Sequence, residues 1–230
     1  MTNFMSNSIF FGAALSLIAY EVGLLLKRKF KMAIFNPLLI SIIAVIAVLC
    51  LLHIDYDTYN QSGQYISYLL TPATVCLAVP LYQQMELLKK NLKAVVIGIV
   101  SGVLASLVSV LILARLFRLS HEQYVTLLPK SITTAIGMGV SEELGGIVTI
   151  TVAVIIITGV LGNMLAETVI KLARIEEPIA KGLALGTSAH AIGTAKAMEL
   201  GEIEGAMSSL AIAVAGLLTV IGASVFAQFM

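Results

Sequence analysis

Apolar residues recur along this chain in eight runs, each about as long as a membrane-spanning helix. The runs lie at 9–26, 34–52, 65–82, 94–114, 124–140, 145–170, 179–197 and 206–229. Residues 94–114, 145–166 and 206–230 carry no charge, and a membrane span needs roughly 20 apolar residues. The pattern predicts an all-α polytopic membrane protein that forms a single integral domain over 1–230.

The composition agrees with this class. The chain has 230 residues, of which 59% are hydrophobic and 12% are charged, whereas a soluble domain has about 25% charged residues. The net charge is only +1 and no basic patch is evident, so nucleic acid is not an expected partner. The apolar composition instead predicts the lipid bilayer as the surroundings of the chain. Cys50 and Cys76 lie in apolar runs, which predicts free, buried thiols.

Three of the runs contain helix-breaking and small polar residues. These breaks read LTPAT at 70–74, LPKSITT at 128–134 and LGTSAH at 185–190, and Pro72, Pro129 and Gly186 follow one another at intervals of 57 residues. In hydrocarbon, backbone groups freed by a break need partners, so breaks occur where protein or a water-filled cavity covers them. Paired breaks are also the best pointer in a sequence to the substrate site of a transporter.

The basic residues favour one arrangement of the runs across the membrane. They cluster at 27–31, 89–93 and 171–181. If the run at 124–140 enters and leaves on one side, all three clusters, with 10 of the 14 basic residues, are cytoplasmic, as the positive-inside rule requires. This arrangement predicts that the N-terminus lies outside and the C-terminus inside. It leaves open whether the third and seventh runs cross fully.

An inverted internal repeat follows from the same arrangement, with 64–120 and 178–230 as its candidate units. Met85-Glu86-Leu87 resembles Met198-Glu199-Leu200 at about the same offset in the two units, although apolar sequences also match by chance. Inverted repeats whose broken helices meet near the midplane are a recurrent transporter design.

The breaks are candidate sites for an anion, because a helix that restarts inside the membrane presents unpaired N–H groups and the positive end of its dipole. Hydroxyl groups near these ends could donate to a bound oxyanion, or could simply cap the half-helices. The candidate substrate-binding residues of the three breaks are Thr71, Pro72, Thr74, Pro129, Ser131, Thr133, Thr134, Gly186, Thr187, Ser188 and Thr194.

Ionisable residues within the breaks are further candidates, since a charge at membrane depth usually faces a cavity or a partner. Lys130 is predicted to be the counter-charge of an anionic substrate, the alternative being a structural ion pair with a buried acid. His190 could relay a proton or bind substrate, or could have a packing role. For Glu142, Lys196 and Glu199, proton coupling and ion pairing are both open.

The sequence carries no enzyme signature. It has no phosphate-binding glycine loop with its lysine, no paired metal-binding histidines and no nucleophile elbow. His53, His121 and His190 lie far apart in the sequence. We therefore predict neither an enzyme nor a cofactor, and no metal site.

At its three breaks the chain resembles the LrgB/CidB family of bacterial membrane proteins. The matching motifs are LTPATVCLAVPLY at 70–82, PKSITT at 129–134 and GTSAHAIGTA at 186–195, and the last of these adds Gly193 to the candidate site. The resemblance covers essentially the whole chain and implies a multi-pass protein of the bacterial inner membrane.

The resemblance implies two functions. LrgB-like proteins are described as antiholin-like partners of a small holin-like protein, LrgA or CidA, that affect murein hydrolase activity and lysis. Other relatives include bacterial pyruvate facilitators and the plastid glycolate/glycerate translocator. The lysine and the paired half-helix ends favour transport of a small monocarboxylate over a purely regulatory role. The oligomeric state, a homo-oligomer included, stays open.

Overall fold

The structure is a computed structural model that describes residues 10–30 and 35–230, without the side chains of Leu70, Thr71 and Thr74. The described residues form helices and the turns between them. The chain divides into two compact units, one ending at Cys76 and the other beginning at Leu77. In the described ranges, three helices are long and apolar enough to cross a membrane: Leu92–Leu116, Val148–Leu172 and Glu202–Phe229. They correspond to the fourth, sixth and eighth predicted runs. The helical membrane class is thus confirmed, whereas eight segments stay a prediction.

The first unit packs short helices through small residues. Its helices are α1 (Phe11–Phe30), α2 (Pro37–Leu51), α3 (Tyr56–Ser67) and α4 (Leu70–Cys76). The Gly12 amide donates to Ser62 Oγ over 2.6 Å, and Ser16 Oγ shares a hydrogen bond of 2.7 Å with the Tyr59 hydroxyl. A side chain at Gly12 would collide with α3. These contacts hold α1 against α3.

The predicted break at 70–74 lies inside a helix, because α4 covers all five residues and the interruptions fall at 68–69 and at Leu77. Pro72 is the third residue of α4, and the first four N–H groups of any helix have no partner within it. A proline there costs no intrahelical hydrogen bond. Cys50 and Cys76 are free but exposed in the described chain, so the prediction of buried thiols is wrong.

The second unit contains three long helices and two broken segments. Its helices are α5 (Ala78–Gln83), α6 (Met85–Lys90), α7 (Leu92–Leu116), α8 (His121–Leu127), α9 (Thr134–Glu143), α10 (Val148–Leu172), α11 (Pro178–Leu200) and α12 (Glu202–Phe226), followed by a 3₁₀ turn (Ala227–Phe229). α7 and α12 run in the same direction. Leu107 lies beside Gly222, and Arg115 Nη2 donates to the carbonyl oxygen of Phe229 over 2.9 Å. An inverted repeat of 64–120 and 178–230 would require α7 and α12 to run in opposite directions. The structure therefore does not support the predicted pairing for these two helices. Residues 64–76 belong to the first unit, and their part in the predicted repeat stays a prediction.

The fifth predicted run is a re-entrant hairpin, which we call hairpin A (121–143). It consists of α8, a tip at 128–133 and α9. The Ile147 amide donates to Thr126 Oγ1 over 2.8 Å, and Thr151 Oγ1 donates to Ser141 Oγ over 2.7 Å. The chain therefore leaves the hairpin beside the place where it entered, as the distribution of basic residues predicts.

The seventh predicted run is a second hairpin, hairpin B (178–200). The backbone of α11 departs from helical geometry at Ala189 (φ −126°, ψ 15°) and His190 (φ 42°, ψ −135°). Gly186, before this break, packs on Ser208 of α12, and Thr194, after it, shares a hydrogen bond of 2.7 Å with Ser208 Oγ. Both arms thus lie against the same turn of α12. The seventh run folds back rather than crossing, which answers a question that the sequence left open.

Because hairpin B does not cross, the eighth run ends on the opposite side from the one predicted. The carbonyl oxygen of Met230 accepts a hydrogen bond of 2.7 Å from His121 Nδ1, beside Arg115 at the end of α7. Lys171, Arg174 and Lys181 line a cavity together with Glu204 at the other end of α12. If this basic end is cytoplasmic, residue 230 lies outside, and the prediction of an inside C-terminus is wrong.

A topology reporter checks this orientation. We expect alkaline phosphatase fused after Met230 to be active in cells and a green fluorescent protein fused there to be dark, because only the former matures outside the cytoplasm. The reverse pattern would show that hairpin B crosses the bilayer or that the basic end is external. A fusion within 172–177, at the basic end, is the matched control and should give the opposite readout.

Candidate functional site

A cavity of about 830 Å³ lies between α7, the first arm of hairpin B and the tip of hairpin A. The α7 side of the cavity carries small and hydroxyl side chains at intervals of three and four residues, which place them on one face of a helix. Hairpin B supplies mostly small residues, and hairpin A supplies Lys130. The residues that line it are Asn91, Ala94, Gly98, Ser101, Gly102, Ala105, Ser106, Ser109, Lys130, Ser131, Glu177, Ile179, Ala180, Leu183, Ala184, Thr187 and Ser188.

Lys130 is the basic side chain among the residues that line this cavity, and Glu177 is the acidic one. Its Nζ donates to Ser131 Oγ over 2.9 Å and to Ser106 Oγ over 3.4 Å. In the described part of the chain, Lys130 forms no ion pair with a carboxylate. An ammonium group has three donors, so one N–H remains for a ligand. The alternative prediction of a structural ion pair is therefore not supported.

The position of Lys130 makes its charge costly. Ser106 lies near the middle of α7, so the ammonium group lies near the middle of a membrane-length helix. A lysine at that depth costs about 3 kcal/mol on insertion scales. α9 begins at Thr134, directly after the tip, and Thr133 makes no side-chain cap there, so the positive end of a helix dipole adds to the same field. The arrangement favours an anion.

Thr187 and Ser188 line the cavity opposite Lys130. Thr187 Oγ1 donates to the carbonyl oxygen of Leu183 over 2.8 Å, and Ser188 Oγ donates to that of Ala184 over 2.6 Å. With these donors engaged, both hydroxyls present lone pairs to the cavity and must rotate before they can donate to a carboxylate. In the present geometry Lys130 is therefore the principal donor to an anion.

Other predicted site residues build the hairpins and do not line the cavity. Gly193 allows the two arms of hairpin B to meet, because a Cβ there would collide with the Leu185 carbonyl oxygen. Gly186 permits close contact with α12, since a Cβ would lie 2.6 Å from the Ser208 carbonyl oxygen. The remaining members of this group are Pro129, Thr133, Thr134 and Thr194.

His190 has a structural role at the tip of hairpin B. Its φ of 42° is uncommon for a residue other than glycine. Its Nε2 lies 2.9 Å from the Ile155 carbonyl oxygen, so Nε2 carries the proton that makes this bond. Gly159 provides the space for the ring, because a Cβ there would lie 2.7 Å from its Cε1. The packing alternative is the one that this geometry supports.

Lys196 pairs with two carboxylates rather than with a substrate. Its side chain is only 12% exposed, and its Nζ lies 2.7 Å from Glu167 and 3.0 Å from Glu199. The Glu167 pair joins the second arm of hairpin B to α10. Glu142 is exposed at the end of α9. Ion pairing thus describes Lys196 and Glu199, and proton coupling by any of the three stays a prediction.

A double-mutant cycle measures the Glu167 pair. Lys196→Met and Glu167→Gln should each lower the thermal stability in detergent, and together they should cost less than the sum by about 0.5–1 kcal/mol, since Glu167 is half exposed. Additive effects would contradict a contribution of this pair to holding hairpin B on α10. Lys171→Met, which removes an outer lysine whose side chain is 78% exposed, is the control with a smaller expected effect.

Sequence reasoning missed the contribution of α7. Ser101, Gly102, Ser106 and Ser109 line the cavity, yet they belong to a run that contains no break. The available signal was the clustering of small and hydroxyl residues on one face, which also occurs in ordinary helix packing in membranes.

The first break belongs to the first unit, and the binding roles of its residues stay predictions. Pro72 lies exposed in the first unit, and the side chains of Thr71 and Thr74 are outside the described residues. Among the residues that the structure does describe, no three His, Cys, Asp or Glu side chains are grouped so that they could hold a metal ion.

Two re-entrant hairpins that border one cavity beside membrane-length helices define a class of polytopic membrane protein with broken helices. The sequence model of the LrgB-like family matches residues 16–229, and the chain belongs to this family. It is 40% identical to an antiholin-like protein LrgB of Bacillus mycoides over 221 residues, covering 96% of both chains. Antiholin-like LrgB proteins of Bacillus cereus and Bacillus anthracis are 39% identical with the same coverage. No solved structure matches the chain.

Proposed function

We propose that the second unit binds a small monocarboxylate and moves it across the bacterial cytoplasmic membrane, without catalysing a reaction. The observation that carries this proposal is the ammonium group of Lys130, which faces a cavity near mid-depth and forms no ion pair with a described carboxylate. A half-buried charge at this depth needs compensation. A carboxylate that enters the cavity would provide it.

The charges of the cavity favour an acid with one carboxylate, because Lys130 can pair with one carboxylate and Glu177, which also lines the cavity, disfavours a second one. About 830 Å³ holds a molecule of three or four carbon atoms with water. The hydroxyl groups of Ser101, Ser109 and Ser188, which donate to backbone oxygens, can accept a hydrogen bond from a substrate hydroxyl, and after rotation they can donate to a substrate carbonyl. Pyruvate, glycolate and glycerate, the substrates implied by the family resemblance, have this chemistry.

Uptake into proteoliposomes tests the proposal. The purified protein should accelerate the uptake of labelled pyruvate, glycolate or glycerate over protein-free liposomes, with succinate and a neutral amide such as lactamide as controls. A second preparation includes an LrgA-like protein, in case the transporter needs this partner. Absence of uptake of all three acids in both preparations would count against transport.

The names of the relatives favour a second candidate function. The relatives are named antiholin-like proteins, and the family resemblance implies that such proteins regulate murein hydrolase activity through a holin-like LrgA or CidA protein. Measuring autolysis and carboxylate uptake in a strain that carries Lys130→Met distinguishes the two functions. The regulatory function predicts unchanged autolysis, because the lysine lies inside a cavity, whereas an indirect effect of carboxylate flux predicts that autolysis changes together with uptake.

A further inference from the structure

The two hairpins share a sequence pattern at a constant offset of 56 residues. Ala135-Ile136-Gly137 recurs as Ala191-Ile192-Gly193, and Glu143-Leu144-Gly145 recurs as Glu199-Leu200-Gly201. Ile147 and Ile203 continue the match. The first triplet lies early in the returning arm of each hairpin and the second lies at its end, so the repeat follows the structure.

Equivalent residues also make equivalent contacts. A Cβ built on Gly137 would lie 3.5 Å from the carbonyl oxygen of Pro129, and one built on Gly193 would contact the carbonyl oxygen of Leu185. Pro129 and Leu185 are themselves 56 residues apart. In both hairpins, therefore, the glycine of the returning arm meets the same backbone position of the first arm. A long helix follows each hairpin, α10 after hairpin A and α12 after hairpin B.

The two copies run in opposite directions. The second arm of hairpin B runs along α10, since Asn163 Nδ2 donates to the Ile192 carbonyl oxygen over 3.0 Å and Glu167 pairs with Lys196. The same arm runs against α12, where Thr194 meets Ser208 and Met198 meets Gly205. α10 and α12 are hence antiparallel, and hairpins A and B begin at opposite ends of the unit.

We propose that 121–172 and 178–226 are an inverted repeat, and that the first arm of hairpin A forms a second access pathway to the Lys130 site, which is closed in this structure. The pathway depends on the proposed transport function, whereas the repeat does not. Inverted repeats that exchange their conformations open a central site alternately to the two sides of the membrane.

The burial of equivalent residues identifies the closed pathway. On hairpin B, Ala180, Ala184 and Ser188 are exposed and line the cavity. Their equivalents at the 56-residue offset are Tyr124, Leu128 and Ile132, which are 0%, 1% and 2% exposed.

The two first arms lie on successive parts of α7. Thr187, on hairpin B, faces Gly102, and Ser131, its equivalent on hairpin A, accepts a hydrogen bond of 3.2 Å from Ser106 Oγ. The cavity extends from Asn91 at the basic end of α7 to Ser109. It is thus open along hairpin B and sealed along hairpin A. Opening the second pathway would break the bond of 2.9 Å from the Tyr124 hydroxyl to the Phe226 carbonyl oxygen.

Cysteine labelling at equivalent positions tests the repeat without any transport assay. Glu143→Cys and Glu199→Cys are introduced singly into a chain whose Cys50 and Cys76 are serine, and intact cells and inverted vesicles are treated with a membrane-impermeant maleimide. We expect Glu143→Cys to react only from the outside and Glu199→Cys only from the cytoplasmic side. Labelling of both from one side would overturn the inverted repeat.

Labelling of buried positions tests the second pathway. Leu128→Cys should react from the outside, and Ala184→Cys should react from the cytoplasmic side. If substrate shifts the equilibrium between the two access states, pyruvate should change the rate of the Leu128→Cys reaction by about fivefold or more. Ile132→Cys replaces Leu128→Cys if the latter does not assemble. Ile99→Cys, which is 1% exposed in α7, is the buried control and should not react.

The outcomes separate the pathway from the proposed function. If neither Leu128→Cys nor Ile132→Cys reacts from the outside while Ala184→Cys reacts from the inside, the pathway is overturned, even if uptake is observed. If both sides label as expected but the wild type transports none of the three acids, the two access states stand and the proposed substrate class fails.

Discussion

Replacing Lys130 with methionine is expected to lower monocarboxylate uptake about 100-fold, because truncating one partner of a buried charge pair costs about 3 kcal/mol. The ammonium group donates to Ser131 and Ser106 but forms no ion pair with a described carboxylate. Methionine keeps the length of the side chain and removes the charge. Uptake of labelled pyruvate into proteoliposomes, at matched protein content, measures the effect.

The stability of the same variant gives an independent readout. Removing a half-buried charge that forms no ion pair with a described carboxylate should leave the thermal stability in detergent unchanged or raise it. Lys171→Met, which removes an exposed lysine outside the cavity, should retain uptake. Uptake that persists in Lys130→Met, or a loss that merely follows unfolding, would contradict a substrate-binding role.

Replacing Gly193 with alanine is expected to destabilise hairpin B by about 1–3 kcal/mol, the usual cost of overpacking. The added methyl group would collide with the carbonyl oxygen of Leu185 and would lie 2.7 Å from the Ala189 Cβ. A backbone oxygen cannot rotate away as the end of a flexible side chain can, so the two arms must separate. The midpoint of thermal unfolding in detergent is the measurement.

The chain offers a matched control for this glycine. Gly139 lies in α9 of hairpin A, and a Cβ there would meet no atom within 4 Å. Gly139→Ala should be neutral or stabilising, because alanine is favoured over glycine in a helix by about 1 kcal/mol. Equal effects of the two substitutions would show that helix propensity, and not the contact between the arms, determines the stability.

Gly137 gives an intermediate case. A Cβ at this position would collide with the Cδ1 atom of Ile155, the end of a flexible side chain, while the Pro129 oxygen is at an ordinary 3.5 Å. The cost of Gly137→Ala should therefore be smaller than that of Gly193→Ala, although the two glycines are equivalent in the proposed repeat.

The fold was predictable where apolar length and charge determine it. Runs without charges correspond to the three long helices, and the distribution of basic residues indicated that hairpin A is re-entrant. The sequence predicted the break in hairpin B at 185–190 but left open whether the chain crosses or folds back there, because the residues that leave helical geometry, Ala189 and His190, are neither proline nor glycine. The predicted direction of the last helix relative to α7 was consequently wrong. Pro72 led to the prediction of a break where the structure has a helix, since a proline in the first turn of α4 does not interrupt that helix.

The candidate site was predictable in part. Lys130, Ser131, Thr187 and Ser188 line the cavity, which agrees with the rule that polar groups at membrane depth need a cavity or a partner, and their role in substrate binding stays a prediction. The glycines and His190 have the same local signal but serve the packing of hairpin B. Sequence alone does not separate these roles, since a break that lines a cavity and a break that lets two arms touch require the same small residues.

Chemical restoration of the charge at position 130 tests the central claim most directly. In the chain without Cys50 and Cys76, Lys130→Cys should be inactive in uptake. Modification with aminoethyl methanethiosulfonate, which attaches an ammonium group at nearly the length of lysine, should restore uptake, whereas the neutral methyl reagent should not. Equal uptake after both treatments, or activity of unmodified Lys130→Cys, would contradict the claim that a positive charge in this cavity holds the substrate carboxylate.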